Sequence, residues 1–337
     1  MFEIKENISL KNYNTFGIDA ESRYFVECSS INEILDFIEK HKKQDLPLMI
    51  LGGGSNVLFT KFFNGYILRP SIKGIEIMEE TKDHVVLRVG AGEDWDEFVG
   101  YCVDNNWGGV ENLSLIPGNV GTCPIQNIGA YGVEVKDVIV EVETIDIKNL
   151  KINLFQNSDC KFAYRDSIFK TKLKGKQIIT YVSFKLKKQS EYKLDYGNLI
   201  DELKQYDEVN LKNIRQAVID IRNSKLPKPE EIGNAGSFFK NPVVSKERFK
   251  KLEALYPEIP HYKQSDGLVK IPAGWLIEKA GWKGKRVGNT GVHEKQALVI
   301  VNYGNATGEE IIHLARNIQQ TIIIKFDLEL EMEVNVV

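Results

Sequence analysis

A run of three glycines directly after a short apolar segment is the feature that most limits the folds open to this chain. Pro47 introduces residues 48–51, a run typical of a buried strand, and residues 52–56 follow as Gly-Gly-Gly-Ser-Asn. The run lacks the Lys-Ser/Thr ending of a P-loop. It also lacks the Gly-x-Gly-x-x-Gly spacing and the ribose-binding acid of a Rossmann fold. A row of backbone N–H groups beside Ser55 and Asn56 suits a pyrophosphate, although a plain tight turn is the alternative.

A second glycine-rich stretch, residues 117–132, points to the same kind of ligand. Its glycines are too many, over too long a span, for one hairpin within the loop that we predict at 110–132. Close approach of the backbone to a large flat ligand accounts for them better. The residues alone therefore indicate a phosphorylated, flat ligand.

Composition excludes several other classes. The 337 residues are 42% hydrophobic and 27% charged with a net charge of −3, which is typical of a globular protein of two or three domains without the basic excess that attracts nucleic acid. The four cysteines form no Cys-x-x-Cys pair and the five histidines show no His-Glu-x-x-His spacing, so we expect no metal site. No apolar run approaches membrane-spanning length, and residues 1–10 are charged, so we expect a cytoplasmic protein.

Hydrophobic periodicity predicts a mixture of helices and strands. Ser30 and Glu33 form a capping box ahead of an apolar stripe, Asp94 is placed to cap a second helix, and Thr307 with Glu310 opens another. Further helices are predicted at 211–222, at 246–255, and between Pro272 and Gly281. Strands are predicted at about 72–79, 84–90, 138–147, 178–186, 297–301 and 327–336, with a domain boundary at residues 226–229.

Residues 233–242, Gly-Asn-Ala-Gly-Ser-Phe-Phe-Lys-Asn-Pro, place one serine between glycines and two aromatic rings. Gly233 and Gly236 permit backbone conformations closed to other residues, and Phe238 and Phe239 can exclude water. We therefore expect Ser237 to be held in a dry pocket and presented to a ligand. A strand that starts with a turn of small residues is the alternative.

This segment closely resembles the serine loop of the UDP-N-acetylenolpyruvoylglucosamine reductase family, FAD- and NADPH-dependent enzymes that make UDP-N-acetylmuramate for peptidoglycan. The resemblance extends over nearly the whole chain, through motifs of matching order at residues 14–17, 50–58, 116–121, 124–132, 164–167 and 273–278. It implies an α+β fold: an FAD-binding fold of the vanillyl-alcohol-oxidase/PCMH type, with two α+β subdomains, plus a C-terminal α+β substrate-binding domain. The implied bounds are 1–70 and 71–222 for the two FAD-binding subdomains, the second completed by a C-terminal strand at 327–337, and 223–326 for the substrate-binding domain.

By matched position, the two glycine clusters are implied to hold FAD without a covalent bond, with NADPH as the reductant. The implied cofactor-binding residues are Leu51, Gly52, Gly53, Gly54, Ser55, Asn56, Val57, Ser114, Pro117, Gly118, Gly121, Gln126, Asn127, Gly129, Ala130 and Tyr131. Cys123 departs from the family pattern, where alanine is expected. A thiol close to a flavin suggests a covalent link, but we expect Cys123 to be a small buried hydrophobe.

The resemblance also implies three catalytic residues. A hydride passes from reduced flavin N5 to C3 of the enolpyruvyl group, and Ser237 gives a proton to C2. Arg165 is implied to stabilise the negative charge that develops near the substrate carboxylate, and a surface ion pair with Asp166 is the alternative. Glu333 matches the family's C-terminal glutamate and would donate a hydrogen bond in its protonated form. The alternative is that Glu333 belongs to a row of acids on a solvent-facing strand.

The implied substrate is UDP-N-acetylglucosamine enolpyruvate. Its implied contacts are Lys225 as an electrostatic helper, Asn241, Tyr262 and Gln296 as binding residues, and Tyr196 as the loop tyrosine that covers the diphosphate. Tyr196 and Tyr262 indicate the longer of the family's two types. Asn335 stands where an arginine is usual, which removes one positive charge.

Two other functions stay open at this point. One is an oxidase of the same flavin fold that acts on another alcohol or sugar, which the serine loop and Glu333 argue against. The other is a catalytically silent UDP-sugar- or flavin-binding protein, which the intact Ser237, Arg165 and Glu333 argue against. We expect a monomer that binds small molecules and neither nucleic acid nor membranes.

Overall fold

The computed structural model describes residues 2–41, 45–189, 191–264 and 267–337. The chain forms two compact units: the first comprises residues 1–8, 22–53 and 64–224, and the second comprises residues 9–21, 54–63 and 225–337. The change of unit after residue 224 lies close to the boundary predicted at 226–229. Residues 9–21 and 54–63, which the sequence places in a domain of residues 1–70, belong to the second unit.

The bounds of the elements are as follows. The strands are β1 Ile4–Ser9, β2 Glu21–Cys28, β3 Leu48–Ile50, β4 Val57–Leu58, β5 Phe63–Pro70, β6 Ile75–Glu80, β7 His84–Gly90, β8 Gly129–Ala130, β9 Val133–Glu134, β10 Ile139–Asp146, β11 Ile152–Gln156, β12 Gln177–Lys187, β13 Gly233–Ser237, β14 Val243–Ser245, β15 Tyr262–Lys263, β16 Leu268–Lys270, β17 Arg286–Val287, β18 Thr290–Val292, β19 Val299–Asn302 and β20 Asn335–Val336. The α-helices are α1 Ile31–His41, α2 Trp95–Asp104, α3 Leu199–Leu203, α4 Leu211–Lys225, α5 Lys246–Leu255, α6 Ala273–Lys279 and α7 Gly308–Phe326.

The first unit contains a four-stranded sheet in the order β1-β2-β5-β3, in which β3 and β5 are parallel. Helix α1 buries Ile34, Phe37 and Ile38 in the core cluster that this sheet shares. The N-cap bond of the capping box predicted for α1 is confirmed, because Ser30 Oγ accepts the N–H of Glu33 at 3.2 Å. The Glu33 carboxylate accepts the N–H of Ser29 at 2.9 Å, one residue before the partner that a capping box requires.

A second sheet of the first unit has five strands in the order β11-β10-β12-β7-β6, all antiparallel to their neighbours. Helix α2 begins at the predicted cap, where Asp94 accepts the N–H groups of Asp96 and Glu97 at 2.8 and 3.0 Å. Trp95 and Phe98 of this helix are buried with the side chains of β7 and β12. The cofactor-loop region predicted at 110–132 follows α2 in the chain.

The second unit is built around a sheet in the order β13-β19-β18-β17, with smaller sheets β14-β16-β15 and β20-β4. Helix α7 begins at the predicted capping box. Thr307 Oγ1 accepts the N–H of Glu310 at 3.2 Å, and the Glu310 carboxylate accepts the N–H of Thr307 at 2.7 Å.

The prediction of a strand over 327–336 is wrong for most of its length. Leu328, Leu330 and Val334 are buried, which accounts for the alternating pattern. However, the backbone of this segment is paired only in part among the described residues. The carbonyl of Leu330 accepts from the Gln319 side chain at 2.6 Å, Met332 forms a single antiparallel bridge with Phe239, and Asn335–Val336 pair with β4. The C-terminal segment therefore belongs to the second unit instead of completing the region 71–222.

Candidate functional site

In the first unit, the two predicted glycine clusters lie against each other. A Cβ atom at Gly53 would stand 2.8 Å from the Cα of Gly118, and one at Gly52 would stand 2.2 Å from Cγ2 of Thr122. Real Cβ atoms do not approach other atoms this closely, so a side chain at either position would push the loops apart. The glycines are therefore required by the approach of one backbone loop to the other.

These glycines also leave donors available for an anion. Within the described residues, the N–H groups of Gly52 and Gly53 donate to no protein acceptor, and both residues are partly exposed. Adjacent backbone N–H groups without protein partners suit a phosphate. The residues present therefore fit the pyrophosphate of a dinucleotide cofactor.

An ion pair holds the start of the second glycine loop. The Arg215 guanidinium donates to both carboxylate oxygens of Asp96 at 2.6 and 2.9 Å, and Asp96 also accepts the N–H of Leu115 at 2.5 Å. Burial raises the pKa of Asp96, but the hydrogen bonds from Arg215 and Leu115 outweigh burial and hold the pKa below its usual value. The neighbouring Ser114, a predicted cofactor residue, is buried and donates its hydroxyl proton to the carbonyl of Glu111 at 2.6 Å.

Three non-glycine residues of this loop have left-handed backbone conformations: Leu115, Asn127 and Tyr131, with φ of 59°, 44° and 46°. Such conformations are costly outside glycine and persist where the surroundings fix them. The Asn127 side chain does so by donating to the carbonyl of Ala163 at 3.0 Å and accepting the N–H of Lys136 at 3.1 Å. The loop is thus held by side-chain hydrogen bonds in a shape that its own residues disfavour.

The remaining predicted cofactor residues of the loop differ in exposure. Pro117 is exposed, Gln126 is half-buried, and Gly121 is buried with its N–H donating to the carbonyl of Ala91 at 2.9 Å. Ala130 pairs with Val133 in the β8–β9 hairpin. Cys123 is buried in the hydrophobic core, and burial raises the pKa of its thiol well above the usual value, which supports the expected role of a small hydrophobe.

Arg165 lies in a tight turn, where Ala163 and Asp166 exchange N–H···O bonds of 3.0 and 3.2 Å and Arg165 has φ of 54°. Arg165 and Asp166 therefore belong to a turn and not to a strand. The guanidinium of Arg165 donates to the carbonyl of Gly129 at 2.8 Å. The hydroxyl of Ser167, the last residue of the same motif, donates to the carbonyl of Ile125 at 2.6 Å. These bonds bring Arg165 to the predicted cofactor loop.

In the second unit, Ser237 ends β13 opposite Val299, after an irregularity in the pairing at residues 235–236. Gly236 has φ of 67°, a conformation that favours glycine. Phe238 and Phe239 are buried with their ring centroids 5.2 Å apart, whereas Ser237 is exposed. The prediction of a dry pocket walled by these rings is therefore wrong in this structure. The rings fix the strand to the core, and the serine hydroxyl faces outward.

Glu333 lies beside the serine segment, because its N–H donates to the carbonyl of Phe238 at 2.8 Å. Glu329 and Glu331 are exposed, and Glu331 pairs with Lys240, but Glu333 is half-buried. The acidic residues of the C-terminal segment therefore do not form one uniform solvent face. This difference favours a specific role for Glu333.

The end of the first glycine run, at Asn56, also lies beside Glu333. The Asn56 side-chain amide donates to the carbonyl of Glu333 at 3.2 Å, and the carbonyl of Asn56 accepts from both the N–H and the side-chain amide of Asn335 at 3.1 and 3.0 Å. Asn335, where an arginine was expected, thus fixes the loop that carries Ser55, Asn56 and Val57. Gly54 of the same run has φ of 67°, and a Cβ there would stand 2.0 Å from the carbonyl oxygen of Tyr13.

Two of the predicted substrate residues meet at the start of α6. Asn241 Oδ1 accepts the N–H of Ala273 at 2.8 Å, and Gln296 Oε1 would lie 3.4 Å from a Cβ at Gly274. Tyr262 is exposed on β15 with the Lys270 ammonium 5.6 Å from its ring centroid. Lys225 is exposed and is the last residue of α4.

Leu51 and Tyr196, both of the first unit, complete the set of predicted residues. Leu51 is buried and its N–H donates to the carbonyl of Leu68 at 2.9 Å, which sets the end of the strand before the glycine run. Tyr196 is half-exposed, and its Cβ is 3.4 Å from the position of a Cβ at Gly132.

Two polar residues of the first unit that no motif indicated also border Tyr131. Asn112 donates to the carbonyl of Tyr131 at 2.9 Å. Burial and the nearby charge of Arg165 lower the pKa of Arg222, while Tyr131 and Asp96 act in the opposite direction, and Arg222 Nε is buried with no partner in the described residues. The available signal was the position of this arginine in α4, four residues after the apolar Val218 and therefore on the same helix face.

Among residues 2–41, 45–189, 191–264 and 267–337, no group of three or more His, Cys, Asp or Glu side chains is placed to hold a metal ion. Within the same residues, no helix is both long and apolar enough to cross a membrane.

Comparison with known proteins agrees with this geometry. A profile for the FAD binding domain matches residues 22–149, and a profile for the UDP-N-acetylenolpyruvoylglucosamine reductase C-terminal domain matches residues 228–337. The chain is therefore a flavoprotein whose FAD-binding domain precedes a C-terminal domain specific to one family of reductases.

The chain belongs to the UDP-N-acetylenolpyruvoylglucosamine reductase family. It is 48% identical to the enzyme of that name from Flavobacterium johnsoniae, over 99% of this chain and 100% of the relative. It is 43% identical to the Pseudomonas putida enzyme, over 98% of both chains. The crystal structure of the Thermus caldophilus UDP-N-acetylenolpyruvylglucosamine reductase superposes with a TM-score of 0.70 at 22% identity, covering 100% of this chain and 99% of that chain. The predicted family and α+β FAD-binding fold are confirmed.

Proposed function

We propose that this member of the family reduces UDP-N-acetylglucosamine enolpyruvate to UDP-N-acetylmuramate for peptidoglycan synthesis, with Ser237, Arg165 and Glu333 as its catalytic residues. The full-length similarity to reductases of this name supports the activity. One observation carries the assignment of the residues. Ser237 has an exposed hydroxyl on a backbone that the next two residues fix to the core, with Glu333 hydrogen-bonded to the adjoining Phe238.

FAD, held non-covalently by the glycine clusters of residues 51–57 and 114–131 and reduced by NADPH, would supply the hydride chemistry needed at C3 of the enolpyruvyl group. Ser237 then donates its hydroxyl proton to C2, where negative charge has developed. A serine is a weak acid, so the step requires a fixed geometry and a cation nearby, and Lys225 is our candidate for that charge. The buried Phe238 supplies the fixed geometry, because it limits the freedom of the strand end.

Arg165 and Glu333 act on the substrate carboxylate. A guanidinium donates two parallel hydrogen bonds to a carboxylate and stabilises the charge that spreads onto it during the reaction. Glu333, in its protonated form, donates a further hydrogen bond to the same group. The left-handed backbone of Arg165 supports this role, since strained conformations concentrate at functional sites.

We assign FAD to the glycine clusters of residues 51–57 and 114–131, and substrate to Asn241, Tyr262 and Gln296, with Tyr196 covering the diphosphate. In functional terms, residues 1–70 and 71–222 form the flavin-binding part and 223–326 the substrate-binding part. The available N–H groups of Gly52 and Gly53 support the first assignment. The contacts of Asn241 and Gln296 with the start of α6 support the second.

We further propose that the enzyme is a monomer in the cytoplasm and binds neither nucleic acid nor membranes. The net charge of −3 supports the absence of a polyanion partner. Light scattering coupled to size exclusion tests the oligomeric state, and a mass of twice 38.3 kDa would contradict it.

The decisive experiment is the visible spectrum of the FAD-loaded protein under anaerobic conditions. We expect the flavin band to bleach on addition of NADPH and to return on addition of UDP-N-acetylglucosamine enolpyruvate. A protein that stays colourless after incubation with FAD would contradict the cofactor assignment. A band that bleaches but returns only with oxygen would favour an oxidase, and a band that NADPH does not bleach would favour a binding protein.

A further inference from the structure

The segment that carries Tyr196 is fastened to the cofactor loop by one buried side chain. Residues 191–198 contain neither helix nor strand. Tyr192 and Leu194 pack against the apolar cluster of α3 and α4, so alternate side chains anchor the segment. Lys193, which lies between them, is exposed, and its carbonyl accepts a hydrogen bond from the Asn112 side-chain amide at 2.7 Å.

The same amide reaches the cofactor loop. Asn112 Nδ2 also donates to the carbonyl of Tyr131 at 2.9 Å. The Tyr131 ring packs against the α3–α4 cluster that holds Tyr192, and the next residue, Gly132, faces the Cβ of Tyr196. Two segments that are 62 residues apart, counted from Tyr131 to Lys193, therefore meet at one amide group.

Asn112 is a buried residue that links two segments through hydrogen bonds to the carbonyls of Tyr131 and Lys193, and we call this pair of bonds the tie. Its side chain is 1% exposed, both hydrogens of its amide are used, and Oδ1 has no hydrogen-bond partner within the described residues. An unsatisfied buried acceptor costs stability, so the residue is costly as a packing element. A leucine of similar size would fill the space without that cost, but it would not bind either carbonyl.

We propose that Asn112 is a positioning residue that fixes the Tyr196 segment against the cofactor loop before substrate binds. The proposal rests on the proposed role of Tyr196 as the residue that covers the substrate diphosphate. With the tie in place, the segment loses little conformational freedom when substrate binds. Without these bonds, the segment becomes ordered only when substrate binds, and the free-energy cost of ordering it weakens substrate binding. Flavin reduction by NADPH is unchanged.

The test compares Asn112→Leu, which removes both hydrogen bonds, with Asn157→Leu. Asn157 is a matched control, since its amide also donates to two carbonyls of the first unit, those of Lys136 and Ile139, at 2.8 and 2.7 Å. Because Lys193 is exposed, trypsin can report directly on the tie by cleaving the bond between Lys193 and Leu194. We expect at least a tenfold faster cleavage at this bond in FAD-loaded Asn112→Leu, and no change in Asn157→Leu.

In steady-state assays, we expect Asn112→Leu to raise the KM for the enolpyruvyl substrate about tenfold, the equivalent of about 1.4 kcal/mol. The kcat and the rate of flavin bleaching by NADPH should stay within about twofold of wild type. Asn112→Ala also removes both donors and adds no bulk or charge, so it should give the same pattern if the leucine variant folds poorly. Unchanged cleavage after Lys193, or equal changes in Asn112→Leu and Asn157→Leu, would overturn the proposal.

The failure of this inference is distinguishable from the failure of the proposed function. The proteolysis readout needs no turnover, so it reports on the tie even if the enolpyruvyl substrate never restores the flavin band. Conversely, a wild-type enzyme that completes both half-reactions, with an Asn112→Leu variant of normal KM, would reject the tie and leave the proposed function intact.

Discussion

The glycine loops of the first unit and the serine segment of the second unit solve the problem of positioning in different ways. Around Gly53, the backbone itself is the proposed binding surface, and its place is set by a loop-to-loop approach that no side chain allows. Around Ser237, the proposed functional group is an exposed side chain, and its place is set by the buried rings of Phe238 and Phe239. This difference predicts two kinds of mutational effect. Substitutions in the glycine loops should lower stability and flavin binding, whereas substitution of Ser237 should lower the rate of substrate reduction.

The sharpest test of this contrast is Ser237→Ala. If Ser237 donates the proton to C2, substrate reduction should fall by about 10² to 10⁴-fold, while flavin reduction by NADPH stays near normal. Stability should change by less than about 0.5 kcal/mol, since the side chain is exposed. Anaerobic stopped-flow measurement of the two half-reactions checks this. Ser158→Ala, at another exposed serine, is the control, and an equal loss of both half-reactions in Ser237→Ala would remove the serine from the chemistry.

Gly53→Ala should give the opposite pattern. The new methyl group would meet the Gly118 backbone at 2.8 Å, so we expect a loss of about 1–3 kcal/mol of stability together with a lower ratio of bound flavin to protein. Thermal unfolding and the flavin absorbance after gel filtration check both effects. Gly100→Ala is the control, because its new methyl group would stand in ordinary contact, 3.4 Å from the Arg215 guanidinium. A Gly53→Ala protein with normal flavin content would show that the close approach is not needed for binding.

The Asp96–Arg215 pair should make the first unit sensitive to acid. Because the folded-state pKa of Asp96 lies below its unfolded value of about 3.9, the pair stabilises the fold above about pH 4 and loses its effect as the pH falls through the folded-state pKa. Asp96→Asn should therefore be less stable than wild type by about 2 kcal/mol at pH 7. The difference should shrink toward pH 3. Denaturant unfolding of both proteins across this range checks the sign, and a difference that grows on acidification would contradict the pKa argument.

The smallest expected effect is that of Thr307→Ala, which removes the cap of α7 in the second unit. Loss of an N-cap hydrogen bond costs about 1 kcal/mol, and flavin content should be unchanged because neither Thr307 nor Glu310 is among the proposed cofactor residues. Melting temperature and flavin absorbance measure the two outcomes. Thr307→Ser, which retains a hydroxyl acceptor, should restore most of the lost stability. Loss of flavin in Thr307→Ala would contradict the expectation that this cap affects stability alone.

Local signals in the sequence were reliable where a few adjacent residues decide the outcome. The caps at Ser30, Asp94 and Thr307 each formed as predicted, because an N-cap bond needs only the residues of one turn. The strand predicted at 84–90 and the helix at 246–255 have the predicted bounds. The C-terminal strand failed for the complementary reason. Its alternating pattern reports which side chains are buried, whereas a strand also requires a partner for its backbone.

The motifs were sufficient to assign the family, but they did not predict the contacts that hold the candidate site together. The glycine runs and the Ser237 segment were sufficient to assign the family, since they are contiguous in the chain. The clamp of Asp96 by Arg215 joins residues 119 positions apart, and the contacts of Asn112 join three segments, so no local pattern predicts them. The exposure of Ser237 likewise depends on where the core places two phenylalanines.

The sequence by itself determined the family, the cofactor class and most helices, and it supplied the proposed catalytic residues, because these depend on residue type and short spacing. Only the tertiary structure decided that Gly53 meets Gly118, that Arg165 sits in a left-handed turn against Gly129, and that Glu333 leaves the solvent face which Glu329 and Glu331 share. The physical reason is that close approach, backbone strain and burial are set by atoms distant in the chain, and the packing of the whole unit fixes all three together.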